Sequence, residues 1–409
     1  MRDQFIPVRK SELVAALLAE RPPEQAASLR QLCRILGSIF HYEYFAELDA
    51  LKDAYFHFNP QHAGKAGRRD DPATYAEFSA ALRRVLTKAN FTEVPAEEVE
   101  RAYRETALTP VEVHAPVEDY RDIRFFRRGQ HREQMEIARW FGYRRRSIAA
   151  DVYDEVVLIA ASKPTQVPGD RKQRKRVRRG RPPEGVLIKY FRDIASADLN
   201  TLLPNARVIM NARDKWLLGL PALFGGIPLV LKLAPTLAVL FVLIGIRLGY
   251  TGAMEQDRLQ QALAVMSGVI ALGSFVIHQW LKYQRQALRY QIEINEAIYF
   301  RNLNNNAGIF DAIIGSAEEQ EVKEALLAYF FLLGSPQEQD ALDGRIEKWL
   351  DERFGLKVDF EVDDGVAKLE RLGLLVRNAG LLSVPPVNEA LARLDRLWDG
   401  FFRFDQAAE

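Results

Sequence analysis

Apolar side chains recur at helical spacing through the first part of the chain. Between residues 24 and 57 they stand at positions 29, 32, 33, 36, 40, 44, 48 and 51, in steps that place them on one face of an α-helix. Similar patterns follow in TYAEFSAALRRVLTKAN and VPAEEVERAYRETA. The spacing predicts an N-terminal helical region over residues 1–110.

Short β-branched and aromatic runs replace this pattern after residue 110. Four runs have the composition of strands, namely IRFFRRG, SIAADV, EVVLIAA and GVLIKYF. We expect an α+β domain over residues 111–211, with a small, mostly antiparallel sheet. A basic loop bounded by Pro and Gly, residues 163–184, separates two of the predicted strands.

Two long apolar runs come next. Residues 217–246 contain Lys232 as their only charge, and residues 262–281 contain His278 but no charged side chain. About 20 apolar residues cross a bilayer core, so the runs predict a membrane protein with a two-helix hairpin. The transmembrane segments are expected at 215–249 and 262–281, with a pair of buried core helices as the alternative. Residues 217–232 could span, re-enter or lie at the interface.

Charged residues around the hairpin predict its orientation. Basic side chains flank both ends of the pair more densely than its connecting loop, so both termini are expected in the cytoplasm. The N-terminal stretch carries Asp3 and Glu12, unlike a targeting helix. A bacterial cell membrane is therefore favoured over a mitochondrial one. Lys232 and His278 are the polar groups expected within the membrane.

The region after the hairpin is predicted to be helical over residues 282–334. Asn304–Asn306 interrupt the pattern, and Ser316 with Glu319 has the spacing of a capping box that begins a new helix. Residues 337–405 then read as helix, strand, helix, hairpin and helix, the order of a winged helix. Residues 338–405 hold ten Lys+Arg and fifteen Asp+Glu. Such a module would repel a phosphate backbone, which makes nucleic acid an unlikely partner and favours protein contact.

Overall composition excludes several functional classes. Lys and Arg total 56 against 55 Asp and Glu, so the surface as a whole is not a nucleic-acid footprint. Cys33 is the only cysteine, which excludes an internal disulfide. No P-loop, GxSxG or HExxH motif occurs, so no catalytic residue, cofactor or metal is predicted. Acidic residues within 359–370 approach calcium-loop spacing, but Gly365 falls one residue late.

Two polar clusters remain as candidate sites. Asn305, Asn306, Glu318 and Glu319 are candidate ligand or partner contacts, with helix termination and capping as the alternative. The stretch RKQRKRVRRG is a candidate contact for anionic lipid headgroups, with an untargeted solvated loop or nucleic acid as alternatives. Its basic residues are Arg171, Lys172, Arg174, Lys175, Arg176, Arg178 and Arg179.

Three stretches resemble a known family. They are VLIKYFRDI…DLNTLLPNARVIM, NLNNNAGIF…SAEEQEVKEALLAYFFLL and RWFGYRRR…VYDEVVLI. These stretches resemble the family that contains transmembrane protein 143, whose members carry a domain of unknown function. The likeness covers roughly residues 75 to 400. It implies a two-span membrane protein and no established catalytic residues.

The function predicted from these observations is a membrane-anchored, non-catalytic scaffold or adaptor. Its protein partners are unknown, and a homo-oligomer is conceivable. One alternative is an oligomeric transport or channel component lined by Lys232 or His278. Another is an enzyme that uses the cluster of asparagines and acids.

Overall fold

A computed structural model describes most of the chain outside its apolar middle. The described residues are 4–62, 71–104, 112–114, 116–139, 144–164, 182–204, 206–209 and 301–402, with scattered residues between 270 and 300.

An antiparallel five-stranded sheet lies at the centre of the fold, with strand order β1-β3-β4-β5-β7. A second, two-stranded sheet pairs β2 with β6. The observed architecture confirms an α+β fold with an antiparallel sheet. The strands are β1 (Thr92–Glu93), β2 (Glu112–His114), β3 (Tyr120–Arg139), β4 (Arg144–Ser162), β5 (Val186–Ala195), β6 (Arg207–Ile209) and β7 (Asn302–Asn305).

Strand β4 is buried on both of its faces. Val157, Ile159 and Ala161 pack into the larger hydrophobic core, while the alternate residues Val156 and Leu158 pack into a smaller one. Alternation arises because successive strand side chains point to opposite faces. The run VVLIAA is therefore continuously apolar because helices cover both sides of the sheet.

Helices supply most of the larger core. Its N-terminal part comes from α1 (Lys10–Ala19), α2 (Pro23–Phe56) and α3 (Pro72–Lys88), whereas α4 (Ala96–Arg104) contributes to the smaller core through Ala102. Helix α2 begins with proline at its first position, where the missing N–H is no loss. Its predicted stripe is buried at Leu29, Leu32, Leu36, Phe40, Tyr44 and Leu51.

The asparagine tract forms a strand. Residues of β7 pair with β5 at the sheet edge, so the helical pattern is interrupted by sheet pairing. The next helix, α5 (Gly308–Leu332), runs without a break through Ser316 and Glu319. The predicted capping box is therefore wrong, because Ser316 lies inside a helix and its hydroxyl accepts a hydrogen bond from Arg128.

The C-terminal elements follow the predicted order except at one position. They comprise α6 (Gln339–Phe354), α7 (Val362–Arg371), β8 (Val376–Asn378), β9 (Leu381–Ser383) and α8 (Val387–Gly400). The hairpin turns at Ala379 and Gly380, both with positive φ, as a type I′ turn requires. The predicted strand LKVDFE is reduced to an isolated bridge residue, Val358.

The two transmembrane spans are not supported by the structure. None of the helices among the described residues is both long and apolar enough to cross a membrane. Segment 215–249 and residues 262–269 of the second segment lie outside the described residues. The described residues between Ile270 and Arg301 are helical and include Lys282, Arg285 and Arg289. These charges follow the predicted second segment. Because no described helix could cross a membrane, the predictions of a two-span membrane fold and of an integral-membrane location with cytoplasmic termini are corrected.

Candidate functional site

The predicted asparagines lie at the open edge of the central sheet. Asn305 is exposed, and its Oδ1 accepts a hydrogen bond of 3.0 Å from Asn302 Nδ2. Asn306 follows with a φ of 51°. Its backbone N–H donates to the carbonyl of Ile188 over 2.8 Å. The Asn306 side chain also accepts from the backbone N–H of Ile188 over 3.4 Å, so Asn306 holds the end of β7 against β5, whereas the Asn305 side chain bonds only within β7 among the described contacts.

The predicted acids lie about three turns further along, in α5, and contact the N-terminal helices. Glu318 Oε2 is 2.9 Å from Nδ1 of His41. Glu319 Oε1 accepts from the backbone N–H of Lys10 over 2.7 Å. No hydrogen bond among the described residues joins these acids to Asn305 or Asn306, and a ligand role for the four residues stays a prediction.

The other predicted positions contribute no described site. The described residues exclude the seven basic residues from Arg171 to Arg179. They also exclude Lys232, which was predicted to lie within the membrane. His278 is an exposed helical residue.

A charged cavity lies where α2, α3, α5 and α7 meet. Its volume is about 350 Å³. Helix α2 supplies four of its lining residues, because positions three and four apart share one helix face. The complete lining is Phe40, Glu43, Tyr44, Glu47, Lys88, Glu321 and Arg371.

Two cations of the lining each contact one carboxylate and one aromatic ring. Lys88 Nζ lies 3.0 Å from Glu47 Oε2 and 5.1 Å from the centre of the Tyr44 ring. Arg371 pairs with Glu43, and its guanidinium lies 5.3 Å from the centre of the Phe40 ring. The cavity wall therefore combines carboxylates with ring faces, a combination that suits positive charge.

Tyr44 is the unusual residue of the lining. Only 4% of its surface is exposed, and its buried hydroxyl has no hydrogen-bond partner. Burial raises the pKa of Tyr44, and the charges of Glu321, Glu47 and Glu324 raise it further. A buried hydroxyl without a partner costs free energy, and less than 1 Å² of this oxygen is accessible to solvent.

A buried ionic cluster adjoins the cavity through Glu321. Lys368 of α7 contacts Glu324, lies 2.6 Å from Asp364 and lies 3.6 Å from Glu321. The side chains of Lys368 and Glu324 are only 6% and 4% exposed. Burial lowers the pKa of Lys368, but the carboxylates of Glu324, Glu321 and Asp364 outweigh it and raise this pKa above its ordinary value. Burial raises the pKa of Glu324 to about 7.

Carboxylates outnumber cations in this combined region. Three cations, Lys88, Lys368 and Arg371, lie among five carboxylates. The five are Glu43, Glu47, Glu321, Glu324 and Asp364. The excess favours either a bound cation or a proton on one carboxyl group, and burial raises the pKa of Glu321 as well.

The sequence reasoning missed every residue of this cavity. Glu324 and Lys368 of the adjoining cluster gave a usable signal, because each is a charged residue among the buried positions of its helix. Charged residues at core positions are rare unless they are paired. Their partners lie on other helices, and a single sequence does not reveal those pairings.

A comparison with family models identifies one domain in the chain. The model described as a protein of unknown function, DUF3754, matches residues 153–308. No solved structure matches the chain. The match includes β5 and β7, whereas all residues of the charged cavity lie outside it. The chain therefore carries a DUF3754 domain of unknown function at residues 153–308.

Proposed function

We propose that the protein is a non-catalytic scaffold that assembles through exposed apolar side chains on the described helical residues between Ile270 and Arg301. The observation that carries this proposal is a line of exposed apolar side chains. Ile277, Leu288, Ile292 and Tyr299 are 59%, 60%, 61% and 75% exposed. Exposed apolar surface of this extent is typical of a protein–protein contact.

The spacing of these residues places them on one side of the helix. Successive members are separated by seven or four residues. Two such steps make eleven residues, or three turns of an α-helix, so the line runs nearly parallel to the helix axis. An apolar line of this kind suits another long helix. The members are Ile270, Ile277, Leu281, Leu288, Ile292 and Tyr299.

A second copy of the same chain is the partner that this line fits. The steps from Leu281 to Tyr299 are seven, four and seven, and they read the same in both directions. The six members together also read the same in both directions, so the line has two self-complementary antiparallel registers. We propose the register that sets Leu281 beside Tyr299 and Leu288 beside Ile292, because the charges described next favour it. Twofold interfaces require such self-complementarity.

Charge along the helix supports the antiparallel arrangement. Between Leu281 and Tyr299, Lys282 and Arg285 lie towards the first end, Arg289 lies near the middle, and Glu296 lies towards the other end. An antiparallel copy brings Arg285 close to Glu296 of its partner. A parallel copy would instead set the basic ends side by side.

We also infer that the resemblance to the family of transmembrane protein 143 reflects common descent. One of the stretches that support it, residues 186–194 together with 198–210, falls entirely within the DUF3754 match. Common descent predicts the β4–β5 hairpin in that family. A solved structure of a member without this hairpin would contradict the relationship.

Light scattering on the full chain tests the scaffold proposal. We expect a dimer for the wild-type protein and a monomer for the double variant Leu288→Glu, Ile292→Glu. Phe45→Glu is the matched control, because Phe45 is also exposed, at 55%, but lies on α2. A monomeric wild type, or a dimer that survives the double substitution, would rule the proposal out.

A further inference from the structure

We propose that strand β4 binds an extended acidic segment of a partner protein along its edge between Arg144 and Asp151. The partner segment would add a strand to the sheet beyond the end of β5. In this mode of recognition, main-chain hydrogen bonds supply affinity and the side chains supply specificity. The edge is separate from the exposed helical line between Ile270 and Tyr299, so the proposal is independent of self-association.

The edge arises because β5 ends before the two strands beside it. Strands β3 and β4 pair as far as Arg139 and Arg144, whereas β5 pairs with β4 only as far as Val152. On the other side, the pairing of β1 with β3 reaches only Arg127. Among the described residues, the far end of the β3–β4 hairpin is therefore a ribbon of two strands. Its β4 edge, residues 144–151, is about 26 Å long.

Backbone groups along this edge have no strand partner among the described residues. A strand with a single neighbour leaves part of its N–H and C=O groups directed away from that neighbour. Where the side chains of this edge are described, Ser147 and Ala149 are exposed. A ribbon of two strands is only marginally stable in water, and a third strand would stabilise it. The edge therefore offers hydrogen-bonding groups along the line that β5 leaves open.

The charge of this edge selects an acidic partner. Arg144, Arg145 and Arg146 occupy consecutive positions of β4, so basic residues lie on both faces of the strand. Asp151 is the only acid of the edge, and it already pairs with Arg132 of β3 over 3.0 Å. Opposite charges on neighbouring strands stabilise a sheet, whereas like charges destabilise it.

Two other pairings fit less well. A second copy of the β4 edge would bring one acid to three arginines. The opposite edge of the ribbon, formed by β3, contains Arg132 and Arg139 together with Glu133 and Glu136. The formal charges of these four residues cancel, so the β3 edge gives no preference for a partner of either sign.

The direction of the sheet predicts the order of residues in the partner. Strand β5 is antiparallel to β4, so a strand that continues its line runs from Asp151 towards Arg144. Its early residues would lie beside Ala150 and Ile148, and its last three beside the arginines. The edge therefore fits a segment with β-branched residues followed by acids, such as the peptide TVTVTEEE.

Fluorescence anisotropy of labelled peptides with the full chain tests this proposal. We expect TVTVTEEE to bind about tenfold more tightly than TVTVTKKK, because three attractive cross-strand pairs replace three repulsive ones. The peptide TVPPTEEE keeps the charge of TVTVTEEE but lacks two successive N–H donors, one of which would face β4. It should also bind about tenfold more weakly than TVTVTEEE. Equal affinity for TVTVTEEE and TVPPTEEE, or no binding of TVTVTEEE, would overturn the proposal.

Substitutions in the ribbon locate the bound peptide. Arg144→Gln, Arg145→Gln and Arg146→Gln together should weaken binding of TVTVTEEE by about tenfold. Arg132→Gln is the matched control, because Arg132 lies on β3 of the same ribbon and its side chain is 82% exposed. The control should change the affinity by less than about twofold. Equal losses in the triple variant and the control would contradict binding at the β4 edge.

Hydrogen exchange on the wild-type chain locates the peptide without any substitution. Bound TVTVTEEE should slow exchange in residues 144–151 more than in residues 130–139, because only the β4 edge gains hydrogen bonds. Slower exchange in residues 130–139 alone would overturn the proposal. So would a DNA duplex that binds more tightly than TVTVTEEE, because the arginines would then serve a nucleic-acid partner.

Discussion

Lys368 on α7 donates a hydrogen bond to the carboxylate of Glu324 on α5, and both side chains are almost completely buried. Helix α7 belongs to the C-terminal group of elements, whereas α5 runs through the larger core beside α2. The pair therefore attaches the C-terminal elements to the rest of the fold by an ionic contact within an apolar interface.

Replacing Lys368 alone should be strongly destabilising. Lys368→Met leaves the buried Glu324 carboxylate with no cation at this position, and breaking a buried pair in this way costs about 3–5 kcal/mol. The free energy of unfolding from urea titration measures the loss. Lys348→Met, at a lysine that is 74% exposed, is the control and should have little effect.

A double variant separates the interaction energy of Lys368 and Glu324 from the cost of burying each charge. Lys368→Met combined with Glu324→Gln removes both charges, so we expect it to recover part of the stability lost in Lys368→Met. The changes in the free energy of unfolding in Lys368→Met and in Glu324→Gln are compared with that of the double variant. If the two single changes add up to the double one, the two side chains do not interact.

Lys323 should connect the N-terminal segment to α5 in a pH-dependent manner. Its Nζ donates to the carbonyls of Ile6 and Val8 at 2.8 and 2.9 Å. Burial lowers its pKa to about 8, against 10.5 for an ordinary lysine. Between about pH 8 and 10.5, Lys323 holds its proton more often in the unfolded chain than in the folded one. Lys323 therefore makes the free energy of unfolding rise with pH over this range.

Lys323→Met should remove that rise between about pH 8 and 10.5. It should also expose residues 4–9 to faster hydrogen exchange, because two carbonyls lose their donor. A stability profile that keeps the same slope over this pH range would show that another group is responsible.

Asp343 should oppose folding once it ionises. Partial burial and the charges of Glu347, Asp359, Asp340 and Asp363 raise its pKa to about 6, from 3.8. The folded state holds this proton more tightly than the unfolded chain, so its stabilising contribution is complete below about pH 3.8 and is lost as pH rises through 6. Thermal unfolding should therefore show Asp343→Asn to be more stable than wild type at pH 8, by up to about 1 kcal/mol, and unchanged at pH 3.5.

Gly129 should not tolerate a side chain. It has a φ of 69° in β3, and an added Cβ would lie 2.8 Å from Cβ of Asp154 in β4. Gly129→Ala should cost about 1–3 kcal/mol, because both the backbone and the contact are strained. Gly344→Ala is the control, since that glycine has open space within α6. Denaturant titration should show that this control is stabilised by up to about 1 kcal/mol.

Local patterns were sufficient to predict much of the fold. The stripe of α2, the apolar run of β4 and the turn at Ala379 each follow from residues that are neighbours in the chain. Helix periodicity, strand composition and turn chemistry act over these short distances, and a single sequence records them directly.

Contacts between distant residues were not predictable in the same way. Asn304 pairs with Tyr190, more than one hundred positions earlier, so the tract was interpreted as a helix break. Ser316 was interpreted as a cap because its partner, Arg128, lies 188 positions earlier in the chain. The cavity was missed for the same reason, since its charges come from four separate helices.

Cysteine cross-linking tests the antiparallel assembly most directly. Burial raises the pKa of the native Cys33 to about 12, and Cys33→Ala removes this thiol altogether. In that background, proteins with Leu281→Cys and Tyr299→Cys are mixed and oxidised, and the disulfide-linked peptides are identified by mass spectrometry. The account predicts disulfides between position 281 of one copy and position 299 of the other. Disulfides that join only like positions, or no cross-linked dimer, would contradict it.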